Sequence, residues 1–469
     1  MLRFLQPLWK KRLLRARAHR KSGDVEAAEQ LIRQVQNARP DRVEVATEAA
    51  EIAAARRDWD LAIERWRTVI DLNGAPARLR WWGSRLAGAA LAWLLGRRGD
   101  TKSADAKGAL RAYRRLAETY RWAGQLEPAR QTLRDALAQS KAFSSRASSV
   151  RDHSGTCFVL SNAHRGWILE KIARVIAQHV SNPRFVYLSS TAGVEEIPEA
   201  SSYFFMHHQL LCNALLAVPS IWNAAIHCFY THPSESYFVH PDHVPLFLNE
   251  IEHTIVQNSH TAANLCESGA DPERLSVILG GADPTVFVGH TRGHGKLGFV
   301  SGYYERKNPA MLLELAKAMP EEQFLLLGPS AEEITHGAIY WPNAAIFDAL
   351  MSQPNIEYRE ARYEDYPRHF ADIDVFLMLS KLEGGPIPLL EAMMSNCVPV
   401  ATDTGFAADL IAHGDNGYLA ATDAPTKTFV ALILQARANE VEVRETVTRY
   451  SWGSYGAAIA EKMKEHPRR

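Results

Sequence analysis

Two patterns of apolar residues divide the chain. Through residue 140 the apolar positions are interspersed with Ala, Leu, Arg and Glu, with few β-branched runs, which predicts helices. This stretch repeats weakly. SGDVEAAEQLI carries Ala28, RRDWDLAIERW carries Ala62 and AGQLEPARQTL carries Ala129, so the first interval is 34 residues and the second is 67, close to twice that. A helix-turn-helix unit of about 34 residues is the tetratricopeptide period, with a small residue where paired helices approach. Pro40 falls between units, where a helix breaker belongs. The intervening Trp-rich RWWGSRLAGAALAWLLG departs from the pattern, and a generic array of α-hairpins also fits. Residues 141–155, rich in Ser, Arg and Ala, predict a linker.

Beyond the linker, short apolar runs alternate with helical stretches. TCFVLS, RFVYLSS, SYFFMHH, AIHCFYTHP, HTIVQNS and RLSVILGG form one series; KLGFVSGYY, QFLLLGPS, NIEYREA, DVFLMLS and VPVATDTG form a second. Helical stretches such as NPAMLLELAKAM and PLLEAMMSN lie between runs of the second. Short continuous apolar runs are what parallel strands covered on both faces look like. The expected fold is therefore α/β: two Rossmann-like, doubly wound domains facing a cleft, preceded by an all-α helical-repeat region. The expected limits are 1–140 for the helical region, 156–290 for the first α/β domain, and 291–469 for the second with its C-terminal helix. In such sheets ligands bind beyond the carboxyl ends of the strands, so residues just after each run matter most.

Net charge is zero but unevenly placed. Residues 1–150 hold 30 Lys and Arg against 16 Asp and Glu, and the rest holds 23 against 37. A basic half suits phosphates, an anionic lipid surface, an acidic protein or simply solvent. Within residues 1–21, Lys10, Lys11, Arg12, Arg15, Arg17, Arg20 and Lys21 lie beside a possible apolar stripe of Leu2, Leu5, Trp9 and Leu13, which points to an anionic membrane surface. A partner protein on the repeats is the other expectation; nothing points to nucleic acid. Five scattered cysteines, with no Cys-x-x-Cys pair, argue against a disulfide framework or zinc site and for a reducing, cytoplasmic compartment. The longest apolar stretch, LAGAALAWLLG, is roughly half a membrane-spanning helix. The N-terminus lacks the continuous apolar core of a signal peptide.

The most specific segment runs from Asp374: DVFLMLSKLEGGPIPLLEAMMSNCVPVATDTGFAADLIAHGDNGYLA. Glu383 and Glu391 form an E-x7-E pair across a strand-turn-helix. Gly384 and Gly385 let a phosphate or sugar oxygen approach the backbone, and Pro386 and Pro388 stiffen the turn. The helix N-terminus that follows favours a diphosphate. Glu391, about a turn into that helix, can accept hydrogen bonds from two vicinal hydroxyls. A leaving diphosphate also needs fixed cations; Arg306 and Lys307 in SGYYERKNP follow a strand and can supply them. His232, after AIHCFYT, lies at a strand end, as do His207 and His208 after SYFFM. No Walker A motif, nucleophile elbow or G-x-G-x-x-G fingerprint is evident.

Together with VQNSHTAANL, GGADPTVF and SGYYERKNP, this segment resembles the nucleotide-sugar-binding half of family-4 retaining glycosyltransferases of the GT-B fold. The resemblance covers most of residues 225–455, is weaker over 151–224 and absent from 1–140. It implies transfer of a sugar from a nucleotide-sugar donor to a glycan or lipid-linked acceptor, with retention, no metal and no other cofactor, in polysaccharide or glycoconjugate synthesis. By resemblance Glu391 takes the ribose hydroxyls, Glu383 contacts the donor sugar, Lys307 binds phosphate and His232 is the active-site histidine. His207 and His208 are alternative sugar or acceptor contacts. The family usually has an Arg soon after the glycine of the SGYY strand; Tyr303 stands there, and Arg306 is the available replacement. Asp372 and Asp374 form a D-x-D of the kind that holds metal in GT-A enzymes, but here Asp372 is read as an edge or cap residue and Asp374 as a strand-entry residue. His290 and His294 have zinc-like spacing, but Gly289, Gly293 and Gly295 argue against a zinc-binding helix. A GT-B epimerase and a non-catalytic helical-repeat scaffold are the rival classes.

Overall fold

The computed structural model describes residues 7–74, 106–144, 155–189, 193–231, 239–293, 295–328 and 344–466. The helical region comprises α1 (Leu8–Lys21), α2 (Val25–Ala38), α3 (Val43–Ala55), α4 (Trp59–Gly74), α5 (Ala106–Trp122) and α6 (Leu126–Ser144). Helices joined by short turns pack as pairs, and the repeat has a backbone cause. One residue in the turn within each pair, α1–α2, α3–α4 and α5–α6, is left-handed: Gly23 at φ 86°, Arg57 at φ 58° and Gly124 at φ 73°. These positions share the spacing of Ala28, Ala62 and Ala129, all of which are buried between helices. Asp24 and Asp58, just after the turn, accept from the N–H groups of Ala27 and Leu61 at 3.2 and 3.3 Å and so cap α2 and α4. The Trp-rich stretch lies outside the described residues.

Several of the arginines are paired internally. Buried Glu48 accepts from Arg17 and Arg20 at 2.9 and 2.6 Å, and buried Glu29 takes Arg65 at 2.7 Å. The described half of the stripe offered to a membrane, Trp9 and Leu13, turns inward. Leu13 is buried, and Trp9 packs on the same core beneath the guanidinium groups of Arg39 and Arg42. Leu2 and Leu5 fall outside the described residues. The outward face of α1 keeps Leu8, Leu14, Lys10, Lys11 and Arg15. No described helix is long and apolar enough to cross a membrane.

Helix α6 runs through Ser144, into the stretch read as linker. Its Leu133, Ala136 and Leu137 share a core with the first α/β domain, and buried Ser140 donates to the Leu215 carbonyl at 2.6 Å. That domain contains β1 (Thr156–Ser161), α7 (Ile168–Ala177), β2 (Arg184–Leu188), β3 (Ser202–Phe205), α8 (His208–Ala217), β4 (Ala225–Tyr230), β5 (His253–Val256), α9 (Ser259–Glu267) and β6 (Leu275–Val277). The second contains β7 (Lys296–Val300), α10 (Pro309–Ala318), β8 (Phe324–Gly328), α11 (Ala344–Met351), β9 (Ile356–Glu360), β10 (Ile373–Met378), α12 (Ile387–Met394), β11 (Val398–Thr402), β12 (Tyr418–Ala420) and α13 (Thr426–Arg437). Each sheet has six parallel strands, ordered β2-β1-β3-β4-β5-β6 and β12-β11-β10-β7-β8-β9. The last helix, α14 (Trp452–Glu465), was grouped with the second domain but packs on α7 of the first. Gly456 makes that packing possible, because a Cβ there would lie 2.8 Å from the Val175 carbonyl oxygen.

Arg57 holds the left-handed position that glycine takes in the other two turns, where a Cβ costs roughly 1–2 kcal/mol. Arg57→Gly should therefore stabilise the chain, by roughly 0.5–1 kcal/mol after glycine's own entropy cost. An unchanged or lower melting temperature would count against this origin of the repeat.

Candidate active site

The two domains meet at the turn after β10. Asn258, at the carboxyl end of β5, donates from its Nδ2 to the Gly384 carbonyl at 2.7 Å, while its Oδ1 accepts from the Thr261 N–H at 2.6 Å and caps α9. A Cβ on Gly384 would lie 2.5 Å from the Thr231 carbonyl oxygen, and one on Gly385 would lie 2.6 Å from Gln257 Nε2. Gly384 is thus required by the backbone of the opposing domain, a reason the phosphate reading of the sequence did not contain, whereas at Gly385 the Gln257 side chain would have to move. Gly405, left-handed at φ 59°, packs as closely: its Cβ would meet the Cβ of Glu383 at 2.8 Å. Asp409 reinforces the junction by accepting from the Ser259 N–H at 3.1 Å and from its hydroxyl.

Glu383 sits at this turn, buried, with its own N–H donated to the Thr404 hydroxyl at 3.0 Å. Lys307 donates to its Oε1, and Arg306 Nη1 lies 3.4 Å from Oε2. Burial alone would raise the Glu383 carboxyl; the charges of Lys307 and Arg306 outweigh it and hold the group below the ordinary carboxylate range. Arg306 is oriented by the Leu382 carbonyl at 2.7 Å and the Tyr304 hydroxyl at 2.9 Å. Both cations come from the tight turn Glu305–Lys307, which left-handed Asn308 closes before Pro309 opens α10. Tyr303 is not part of the group. It is buried, donates to the Leu327 carbonyl at 3.1 Å and packs among Phe299, Phe347 and Tyr358.

Glu391 lies in α12 with no exposed surface. Its Oε1 accepts from the Tyr363 hydroxyl, and Oε2 has no hydrogen-bond partner among the described residues. Burial pushes its carboxyl up to about 7, against the pull of the Tyr363 hydrogen bond and the Lys171 charge. Lys171 comes from α7 of the first domain and donates to Tyr363 Oη at 2.6 Å. Neither Lys171 nor Tyr363 was singled out from the sequence: one reads as an ordinary helix-surface lysine, the other as a loop aromatic.

His207 caps α8, its Nδ1 accepting from the Gln209 N–H at 3.1 Å, and stacks on His208, which stacks on Tyr230. Both are buried at the carboxyl end of β3. His232 and His294 lie outside the described residues. The D-x-D carboxylates have structural partners: Asp372 pairs with Arg359, and Asp374 accepts from the N–H groups of Gly293 and Gly295 at 2.9 and 2.8 Å. His290 lies 3.7 Å from Asp374.

Residues 289–452, which hold Lys307, Arg306, Glu383 and Glu391, match the family model described as glycosyl transferases group 1. The chain carries a glycosyl transferases group 1 domain. No curated protein matches the chain in sequence. Its fold is that of solved GT-B structures. HepE of Anabaena, in complex with UDP and glucose, is 14% identical, aligned over 66% of this chain and 100% of its own, with a TM-score of 0.52. The lipopolysaccharide outer core galactosyltransferase WaaB, in its apo form, is 14% identical over 66% and 99%, with a TM-score of 0.52. A sucrose-phosphate synthase from Thermosynechococcus elongatus is 12% identical over 66% and 98%, at 0.52. The group 1 domain is preceded here by the all-helical region.

Two expectations test the packing of the group 1 domain. Gly384→Ala should cost about 1–3 kcal/mol by forcing the domains apart, whereas Gly453→Ala, whose Cβ would meet only Ser451 Oγ at 3.8 Å, should not. Thermal melts of the two variants distinguish them, and equal losses would refute the close contact. Glu391 binds a proton in the folded chain between its ordinary value of 4.5 and about 7, where the unfolded chain has released it. Its contribution to stability therefore falls as pH rises through that window. Glu391→Gln should gain relative to the parent chain by up to about 3 kcal/mol between pH 4.5 and 8. A difference in melting temperature that is flat with pH would contradict the buried, raised carboxyl.

Proposed function

We propose that the chain is a nucleotide-sugar-dependent glycosyltransferase acting with retention of the anomeric configuration. The observation that carries this reading is the buried Glu383, fixed by Lys307 and Arg306 beside the turn where the two domains meet, with Glu391 in the helix that follows. In this reading the diphosphate lies against Lys307, Arg306 and the start of α12. Two cations and a helix N-terminus are a fixed electrostatic complement to charge that grows on the diphosphate as the sugar leaves. No metal is needed for that task. Glu383, held ionised and in place, positions the sugar; Glu391 receives the ribose hydroxyls. His232, two residues beyond β4 in sequence, is assigned to the donor sugar on the family resemblance alone, and the departing phosphate takes the acceptor's proton. UDP is the first nucleotide to test, because HepE was solved with UDP and glucose.

The proposed acceptor is a glycan or lipid-linked glycan. The outward face of α1 supports recruitment to an anionic surface: Leu8 and Leu14 are 64% and 53% exposed among Lys10, Lys11 and Arg15. The helical pairs would serve as spacer or protein-docking surface.

Glu391→Ala should weaken nucleotide binding by about 1.5–3 kcal/mol. Lys307→Ala should lower transfer more than Lys307→Arg does. His232→Ala should keep nucleotide affinity and lose kcat. Calorimetry with UDP, GDP and ADP, followed by turnover of the matching nucleotide-sugar, measures all three. Unchanged affinity in Glu391→Ala, together with full turnover in Lys307→Ala, would overturn the donor site.

A further inference from the structure

Glu391 already has a donor from within the protein, and that donor is partly exposed where the carboxylate is not. The carboxylate has no exposed surface, whereas Tyr363, whose hydroxyl bonds its Oε1, is 40% exposed. The phenol occupies Oε1, so a ribose diol that bonds both carboxylate oxygens competes with it there. The phenol is held from the other domain. Lys171 Nζ donates to Tyr363 Oη at 2.6 Å and lies 4.4 Å from the centre of its ring. The same ammonium lies 4.5 Å from the Trp452 ring, at the start of α14. Three residues of three separate segments thus form one chain, Lys171 to Tyr363 to Glu391, across the domain junction.

We propose that Tyr363 is a gate on the ribose carboxylate and that Lys171 is the positioning residue that latches it from the first domain. The inference rests on the donor reading above, which places ribose on Glu391. Nucleotide and phenol compete for one carboxylate oxygen, so part of the nucleotide's binding energy goes into opening the gate. When the gate opens, Lys171 loses its partner on the second domain, and ribose occupancy is thereby coupled to how the two domains are tied. The groups facing the latch are Glu391, Asp283, Trp452 and Tyr366. Burial lowers the Lys171 ammonium from its ordinary range, and Glu391 and Asp283 oppose that shift.

Tyr363→Phe keeps the ring and removes the competing hydroxyl; Lys171→Met keeps most of the stem and removes the latch. Of UDP, GDP and ADP, the nucleotide that the parent chain binds most tightly is titrated calorimetrically into both single variants and the double variant. Its 2′,3′-dideoxy analogue is titrated in parallel. Tyr363→Phe should tighten the ribonucleotide by roughly tenfold. Lys171→Met should tighten it by a smaller factor, and the double variant should gain no more than Tyr363→Phe alone. The dideoxy analogue, which cannot use Glu391, should bind all four proteins equally. Unchanged or weaker ribonucleotide binding in both single variants, or equal tightening of the dideoxy analogue, overturns the gate while leaving the donor site standing. Failure of the parent chain to bind any of the three nucleotides overturns the donor reading and the gate with it. Lys171→Met provides the same discrimination if Tyr363→Phe does not fold.

Discussion

The contact between the Gly384–Gly385 turn and the strand ends of the first domain is the constraint on which the site depends. A Cβ on Gly384 would strike the Thr231 backbone, one on Gly385 would displace the Gln257 side chain, and Asn258 ties the turn by its carbonyl while capping α9 with its other side-chain atom. One asparagine therefore sets both a helix start in one domain and the backbone position of a turn in the other. Because Glu383 precedes that turn and α12 follows it, the same contact determines where the carboxylate, the helix N-terminus and the cations of the Glu305–Lys307 turn come together.

The two glutamates of the pair have opposite electrostatic settings, produced by their neighbours and not by their depth. Both are buried. Glu383 faces Lys307 and Arg306 and is held below the ordinary range. Glu391 has a phenol and a more distant ammonium, and burial raises it to about 7. A carboxylate fixed as an anion suits positioning a polar substrate beside a charged leaving group. A carboxylate close to neutrality, with one oxygen unpaired, has hydrogen-bonding capacity in reserve for an incoming diol. Such divergence between paired titratable groups is how one site assigns them different tasks.

The architecture was largely legible because parallel strands covered on both faces are continuous apolar runs. Every run of both series falls on a strand, and β12, short and set within NGYLA, is the strand no run announced. The repeat was legible through Ala28, Ala62 and Ala129, whose spacing follows the left-handed turns. Element ends, domain grouping and side-chain direction were less legible. The α1 stripe faces its own bundle, α6 continues past residue 140, and α14 returns to the first domain; each is decided by tertiary packing that no local pattern encodes. Within the site, Lys307, Arg306 and Glu383 were named together, and the structure brings them within contact. Lys171 was invisible because its partner, Tyr363, is 192 residues away in sequence. The second role of the glycines was hidden for the same reason.

A crystal structure of the full chain with UDP is the most direct measurement. The expected result is a diphosphate between Lys307, Arg306 and the start of α12, with both ribose hydroxyls on Glu391 and the Tyr363 phenol displaced from it. Nucleotide bound away from the turn at Gly384, or seated there with neither Lys307 nor Glu391 in contact, would contradict the assignment of this cleft as a donor site.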